Sequence, residues 1–171
     1  MSFSSRLRFL WLTLVIVVFD RASKAWIESR APSDFPITII PDKFYLVSSR
    51  NSGVAFSFLT GLSSPLLRHI LIGGSLIIIA CIAWLLVTGR ANSFWKAVGL
   101  ALLLGGAAGN VTDRILYGAV TDFLEVYLRF LPWSPFNPWP AFNVADFAIL
   151  IGAILMVLDV LFGRKQQSTA H

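Results

Sequence analysis

Four mainly apolar stretches of this chain, at about 8–26, 66–88, 95–115 and 143–163, are expected to cross a lipid bilayer as helices. A spanning helix needs about 20 mainly apolar residues, and helices satisfy their own backbone hydrogen bonds where no water reaches. The first stretch is apolar from Phe9 to Phe19, broken only by Thr13, and then turns polar with Asp20, Ser23 and Lys24. Basic residues ahead of it also suit a secretory signal peptide. No clear small-residue cleavage site follows it and three more spans do, so a retained first helix is expected. Charged residues are 13% of the chain and hydrophobic ones 56%, against about 25% and about 45–50% in soluble domains. That balance disfavours a soluble helical bundle. The expected fold is an all-α membrane protein forming a single domain over residues 1–171.

The net charge of +5 is spread in a way that speaks against nucleic acid, because no basic run or stripe exists. Arg6 and Arg8 precede the first apolar run, Arg90 and Lys96 flank the turn after the second, and Arg164 and Lys165 follow the last. The longer stretches, about 27–65 and 116–142, hold Arg30, Lys43, Arg50 and Arg129. The positive-inside bias then puts both termini in the cytoplasm and both long loops outside. Eight of the nine acids, all but Asp159, fall on or near the outer side.

Residues 37–49 suggest two short β-rich runs around a Pro41-Asp42 turn, and Val54 to Leu59 suggests a further short strand. Residues 130–142 carry four prolines, which excludes a long helix. Cys81 is the single cysteine, and His69 and His171 are the two histidines. No disulfide within the chain, thiol cluster or HExxH zinc site can be built from these; no metal and no cofactor is expected.

A charged group near the bilayer centre costs at least ~2.5–3.5 kcal/mol, so each needs a reason. Asp20 and Lys24 are spaced to face one another on the first helix; a neutralised anchor and a part in catalysis both fit, and a supporting role is expected. Gly105, Gly106 and Gly109 leave one helix face almost bare, which suits close helix packing or substrate contact. Asn110, Asp113 and Arg114 share one face, where Asp113 can neutralise Arg114, or Arg114 can bind loop carbonyls. Asp122 stands where the third span gives way to the outer loop. Asp146 stands at the outer end of the fourth, with Asn143 one turn before it. Either aspartate alone suits a helix-dipole partner. Two at one depth suit a dyad, since paired carboxylates cannot both ionise cheaply. One then acts as base on a water and the other protonates the leaving amide nitrogen.

The runs Asp20-Arg21-Ala22-Ser23-Lys24, Asn51-Ser52-Gly53-Val54-Ala55-Phe56-Ser57, Gly105-Gly106 through Asn110 with Asp113-Arg114, Gly118 through Asp122-Phe123, and Phe142-Asn143 through Asp146 occur in this order. Together they resemble the signature blocks of the lipoprotein signal peptidases, or signal peptidase II, over nearly the whole chain. The resemblance implies a four-helix membrane core with a small extracytoplasmic β-element and a short interfacial helix, in the bacterial cytoplasmic (inner) membrane. It implies an aspartyl endopeptidase that cuts lipid-modified prolipoproteins just before the diacylglyceryl-bearing cysteine, as a monomer among membrane lipids. Asp122 and Asp146 would be the catalytic pair. Asn51, Gly53, Ala55, Asn110, Asp113, Arg114, Asn143 and Ala145 would bind substrate or support the site, with Asp20 and Lys24 in support. Arg21 stands where the family's first block usually has Gln, and Thr121 where a second Val is common. The proline-rich insert lengthens the stretch between Asp122 and Asp146. An inactive or specialised paralogue is the alternative within the family, and a small membrane transport protein the alternative outside it. A GxGD motif is absent, and Ser52-Gly53 has only His69 to serve as base.

Overall fold

The structure is a computed structural model that describes residues 7–53, 64–88, 93–128 and 137–162. Four helices carry it: α1 (Phe9–Glu28), α2 (Ser64–Val87), α3 (Phe94–Tyr117) and α4 (Val144–Phe162). Each coincides within a few residues with one of the four apolar stretches. Three are long and apolar enough to cross a membrane: Pro65–Val87, Phe94–Tyr117 and Val144–Phe162. α1 differs because Asp20, Arg21, Lys24 and Glu28 crowd its second half.

The burial pattern of α1 is inverted relative to a soluble helix. Asp20 and Lys24 are buried, while Trp11, Val15, Val18 and Phe19 are exposed. Apolar groups turn outward and the charges turn into protein, as a hydrocarbon surround requires. α3 sits at the centre, packed against α1, α2 and α4. Leu100 and Leu104 of α3 form a buried cluster with Ile82 and Leu86 of α2.

The small residues of α3 are there for packing. A Cβ on Gly105 would lie 2.9 Å from Ile16 Cβ of α1, and one on Gly106 would lie 2.7 Å from Ile149 Cγ1 of α4. Ser93 caps α3, its Oγ accepting from the Lys96 N–H at 3.0 Å. Gly118 ends the helix with φ of 80°, a left-handed cap that favours glycine. The chain then turns directly into a strand.

That strand belongs to an antiparallel sheet in the order β1-β2-β3-β4, formed by Ile37–Ile40, Phe44–Asn51, Val120–Val126 and Trp139–Phe142. The expected β1–β2 hairpin is present, with Asp42 at φ of 62° in its turn. Residues 120–126 and 139–142, expected as loop, are strands instead. Val120, Thr121, Phe123 and Val126 are residue types that suit a strand, and β4 is an edge strand, where Pro140 need not donate to a ladder. The further strand suggested at Val54–Leu59 lies outside the described residues. A 3₁₀ turn at Pro32–Asp34 links α1 to the sheet.

Candidate active site

Four elements meet where β3 leaves α3 and β4 enters α4. β3 supplies Asp122, which is 2% exposed and pairs across the ladder with Ser49. The first turn of α4 supplies Asp146. Asn143, fully buried, lies between them. Its Nδ2 donates to Asp122 Oδ1 at 2.7 Å, and its backbone N–H donates to Asp146 Oδ2 at 3.2 Å. The Asp146 N–H donates back to Asn143 Oδ1 at 2.9 Å. This is a reciprocal cap at a helix start, and it satisfies amide groups that a helix N-terminus would otherwise leave unpaired.

Two more asparagines complete the carboxylate partners. Asn51 Nδ2 donates to Asp122 Oδ2 at 3.0 Å, and Asn110 Nδ2 donates to Asp146 Oδ1 at 2.7 Å. Asn110 Oδ1 in turn accepts from Lys24 Nζ at 3.1 Å. Burial raises the Asp122 pKa to about 6, with the nearby Asp146 charge pushing the same way. The amides of Asn51 and Asn143 and the Lys24 charge offset part of that rise.

Behind the two aspartates lies a charged layer at the α1–α3 contact. Lys24 Nζ sits 2.8 Å from Asp20 Oδ2 and 3.0 Å from Asp113 Oδ2. Arg21 Nη1 donates to Asp113 Oδ1 at 2.9 Å. The option of an Asp113–Arg114 pair is therefore corrected, since α1 supplies the cations that face Asp113. Arg114 Nη1 instead reaches the Asn110 carbonyl of its own helix at 3.4 Å, and its buried Nε has no hydrogen-bond partner among the described residues. Asp20 Oδ1 accepts from the Ala145 N–H at 2.9 Å, so α1 holds the start of α4. Ala145 is fully buried there. Gly53 donates its N–H to Asn51 Oδ1 at 2.8 Å, and Ala55 lies outside the described residues.

A cleft of about 390 Å³ opens beside Asp146, lined by Val126, Leu128, Trp139, Phe142, Phe147 and Leu150. Asp146 is the acid in an otherwise apolar lining.

Residues 12–162 match the family described as Signal peptidase (SPase) II. The chain belongs to the signal peptidase II family. It is 40% identical over 169 residues to a lipoprotein signal peptidase of Pseudomonas putida, covering 97% of this chain and 94% of that one. A lipoprotein signal peptidase of Pseudomonas fluorescens is 41% identical over 171 residues, with 97% and 94% covered. A solved structure described as a bacterial membrane enzyme, obtained by the in meso method at 1.9 Å, superposes with a TM-score of 0.78 at 26% identity. It covers 91% of this chain and 93% of its own. A signal peptidase II is a protease, and the apolar helices make this one a membrane protein.

Four residues of this signal peptidase II gain a place that its sequence did not suggest. Glu28 accepts from Thr121 Oγ1 at 2.6 Å and pairs with Arg21. Arg50 Nη2 lies 3.6 Å from Glu28 Oε1. Arg21 and Thr121 thus share one carboxylate. Spacing held a clue: Arg21, Lys24 and Glu28 recur at three and four residues, a single face of α1.

Proposed function

We propose that this signal peptidase II removes signal peptides from lipid-modified prolipoproteins by an aspartyl mechanism, with Asp122 and Asp146 as the catalytic pair. The observation that carries the reading is the double hold of Asn143, which ties both carboxylates to one side chain and its backbone. One carboxylate takes a proton from the attacking water, and the other returns one to the leaving amide nitrogen. A pKa of about 6 lets Asp122 hold its proton well above the usual carboxylate range.

Four spans hold the site, with α1 as the fourth; its apolar outer face, from Trp11 to Phe19, supports this. Both termini lie in the cytoplasm and the pair sits near the outer face of the bacterial cytoplasmic membrane, as the basic-residue asymmetry supports. The enzyme acts as a monomer among membrane lipids. Asn51, Asn110 and Asn143 orient the carboxylates, Arg114 contributes to the substrate site, and Asp20 and Lys24 hold α1 against α3 and α4. The apolar cleft beside Asp146 suits a lipidated or strongly apolar chain segment. Cleavage falls just before the lipid-bearing cysteine, because its buried acyl chains, at ~0.8 kcal/mol per CH₂, set the depth of the scissile bond.

The test is cleavage of a lipidated and an unlipidated prolipoprotein by the purified enzyme in lipid, with Asp122→Asn and Asp146→Asn alongside. The lipidated form should be cut and the unlipidated one largely ignored. Each single change should cost about 10²–10⁴ in turnover, and the double change little more, since the two act as one unit. Substantial turnover by either variant removes the aspartyl mechanism; equal cutting of both substrates removes the lipid requirement.

A further inference from the structure

Thr121 precedes Asp122 and is 1% exposed. Each of its polar groups is bound by a side chain from a different segment. Its N–H donates to Asp113 Oδ2 of α3 at 3.3 Å, and its Oγ1 donates to Glu28 Oε1 of α1 at 2.6 Å. Its carbonyl accepts from Asn143 Nδ2 at 3.3 Å. The two carboxylates that hold Thr121 are themselves bridged by the Arg21 guanidinium. Arg21 also lies over the Tyr117 ring, 5.0 Å from its centroid, which ties the bridge to the end of α3.

The ladder needs that help. β2 pairs Leu46 with Leu124 but Ser49 with Asp122, so an irregularity falls right beside Asp122. An extra residue there bends the strand and loosens its alignment. Successive side chains of a strand point to opposite faces, and a slip of one residue would exchange them. With the Thr121 hydroxyl held on α1, the Asp122 carboxyl is directed to Asn143 and Asn51.

We propose that the Glu28–Thr121 hydrogen bond, braced by the Arg21 bridge to Asp113, sets the register of β3 and thereby aims Asp122 at its partners. Glu28 and Thr121 are then positioning residues for the reaction, an inference that rests on Asp122 belonging to the catalytic pair. Glu28 acts from the far end of α1 and needs no contact with substrate. Thr121→Val keeps the shape and loses the hydroxyl, Thr121→Ser keeps the hydroxyl, and Glu28→Met removes the same bond from the helix side.

The experiment measures kcat and KM of these variants, purified in lipid, on a lipidated prolipoprotein. Thr121→Val and Glu28→Met should each lower kcat by about tenfold or more, because a small misplacement of a reacting group costs heavily. KM should stay within about twofold, since substrate binding is left in place. Thr121→Ser should stay within about threefold of the parent, and the double variant should lose no more than the worse single one, as partners in one bond are not additive. A Thr121→Val enzyme with parental kcat overturns the proposal. So does an equal loss in Thr121→Ser, which would make the effect one of packing, or an additive loss in the double variant. If Thr121→Val does not fold, Glu28→Met and Thr121→Ser decide between the same outcomes. An Asp122→Asn control separates the two levels. If it is active, the aspartyl reading fails; if it is inactive beside a fully active Thr121→Val, only the positioning role fails.

Discussion

The Asn143 side-chain amide donates to Asp122 Oδ1 at 2.7 Å, across the gap between strand β3 and the start of helix α4. Its backbone N–H holds Asp146 at the same time, so one residue caps a helix and spaces two acids. These two jobs separate by substitution. Asn143→Ser keeps an oxygen for the cap and loses the amide, whereas Asn143→Ala loses both. Both variants lose the buried amide bonds, and Asn143→Ala should be about 1 kcal/mol less stable than Asn143→Ser from the lost cap. Both should lower kcat by about tenfold or more, because each leaves Asp122 Oδ1 without the Asn143 amide. Thermal unfolding and prolipoprotein cleavage check this. Parental activity in the serine variant would reduce Asn143 to a cap.

Asp122 titrates late, at about 6 rather than 3.8, mainly through burial. The folded state therefore binds its proton more tightly than the unfolded chain does. The stabilising contribution is fully present below pH about 4 and is lost as pH rises to about 6. The melting temperature of the parent should thus fall relative to Asp122→Asn over that window and run parallel to it above. Melting curves of both proteins at a series of pH values measure the difference. A constant difference from pH about 4 to about 7 would contradict the raised pKa. Activity should show an acidic limb in the same region, as an apparent value of the pair.

Gly106 marks where α3 meets α4. A methyl group there would meet the Ala145 carbonyl and Ile149 Cγ1, and a backbone carbonyl does not swing aside as a side chain does. Gly106→Ala should cost about 1–3 kcal/mol and disturb the start of α4, where Asp146 stands. Gly73→Ala is the control, since nothing among the described residues lies within 4 Å of its added carbon. It should be neutral or slightly stabilising in a helix. Similar melting temperatures for the two variants would argue against close α3–α4 contact.

The proposed sidedness rests on the lysine and arginine distribution. In a Cys81→Ala background, a cysteine placed at exposed Ser49 of β2 should react with an impermeant thiol reagent added outside the cytoplasmic membrane. A cysteine at Ala91 should stay unlabelled until the membrane is opened. The opposite pattern would put the aspartates on the cytoplasmic side.

Four helices, the β1–β2 hairpin and the acids and amides of the candidate site are legible in the chain's local pattern. Apolar length is a local property that a bilayer reads directly, and Pro41-Asp42 between β-prone runs is a local turn signal. Asp122 and Asp146 stood out because carboxylates among apolar neighbours at a membrane boundary are costly. Tertiary structure decided their partners. Asp113 lies beside Arg114 in sequence, yet it meets Lys24 and Arg21, because α1 packs on that face of α3. Adjacent residues on a helix point in different directions, so proximity in sequence does not choose an ion pair. The pairing of β3 with β2, the reach of Glu28 to Thr121 and the double hold of Asn143 all join segments far apart in the chain. Such contacts arise when bare glycine faces let helices close and a sheet forms across their ends, which no local period records.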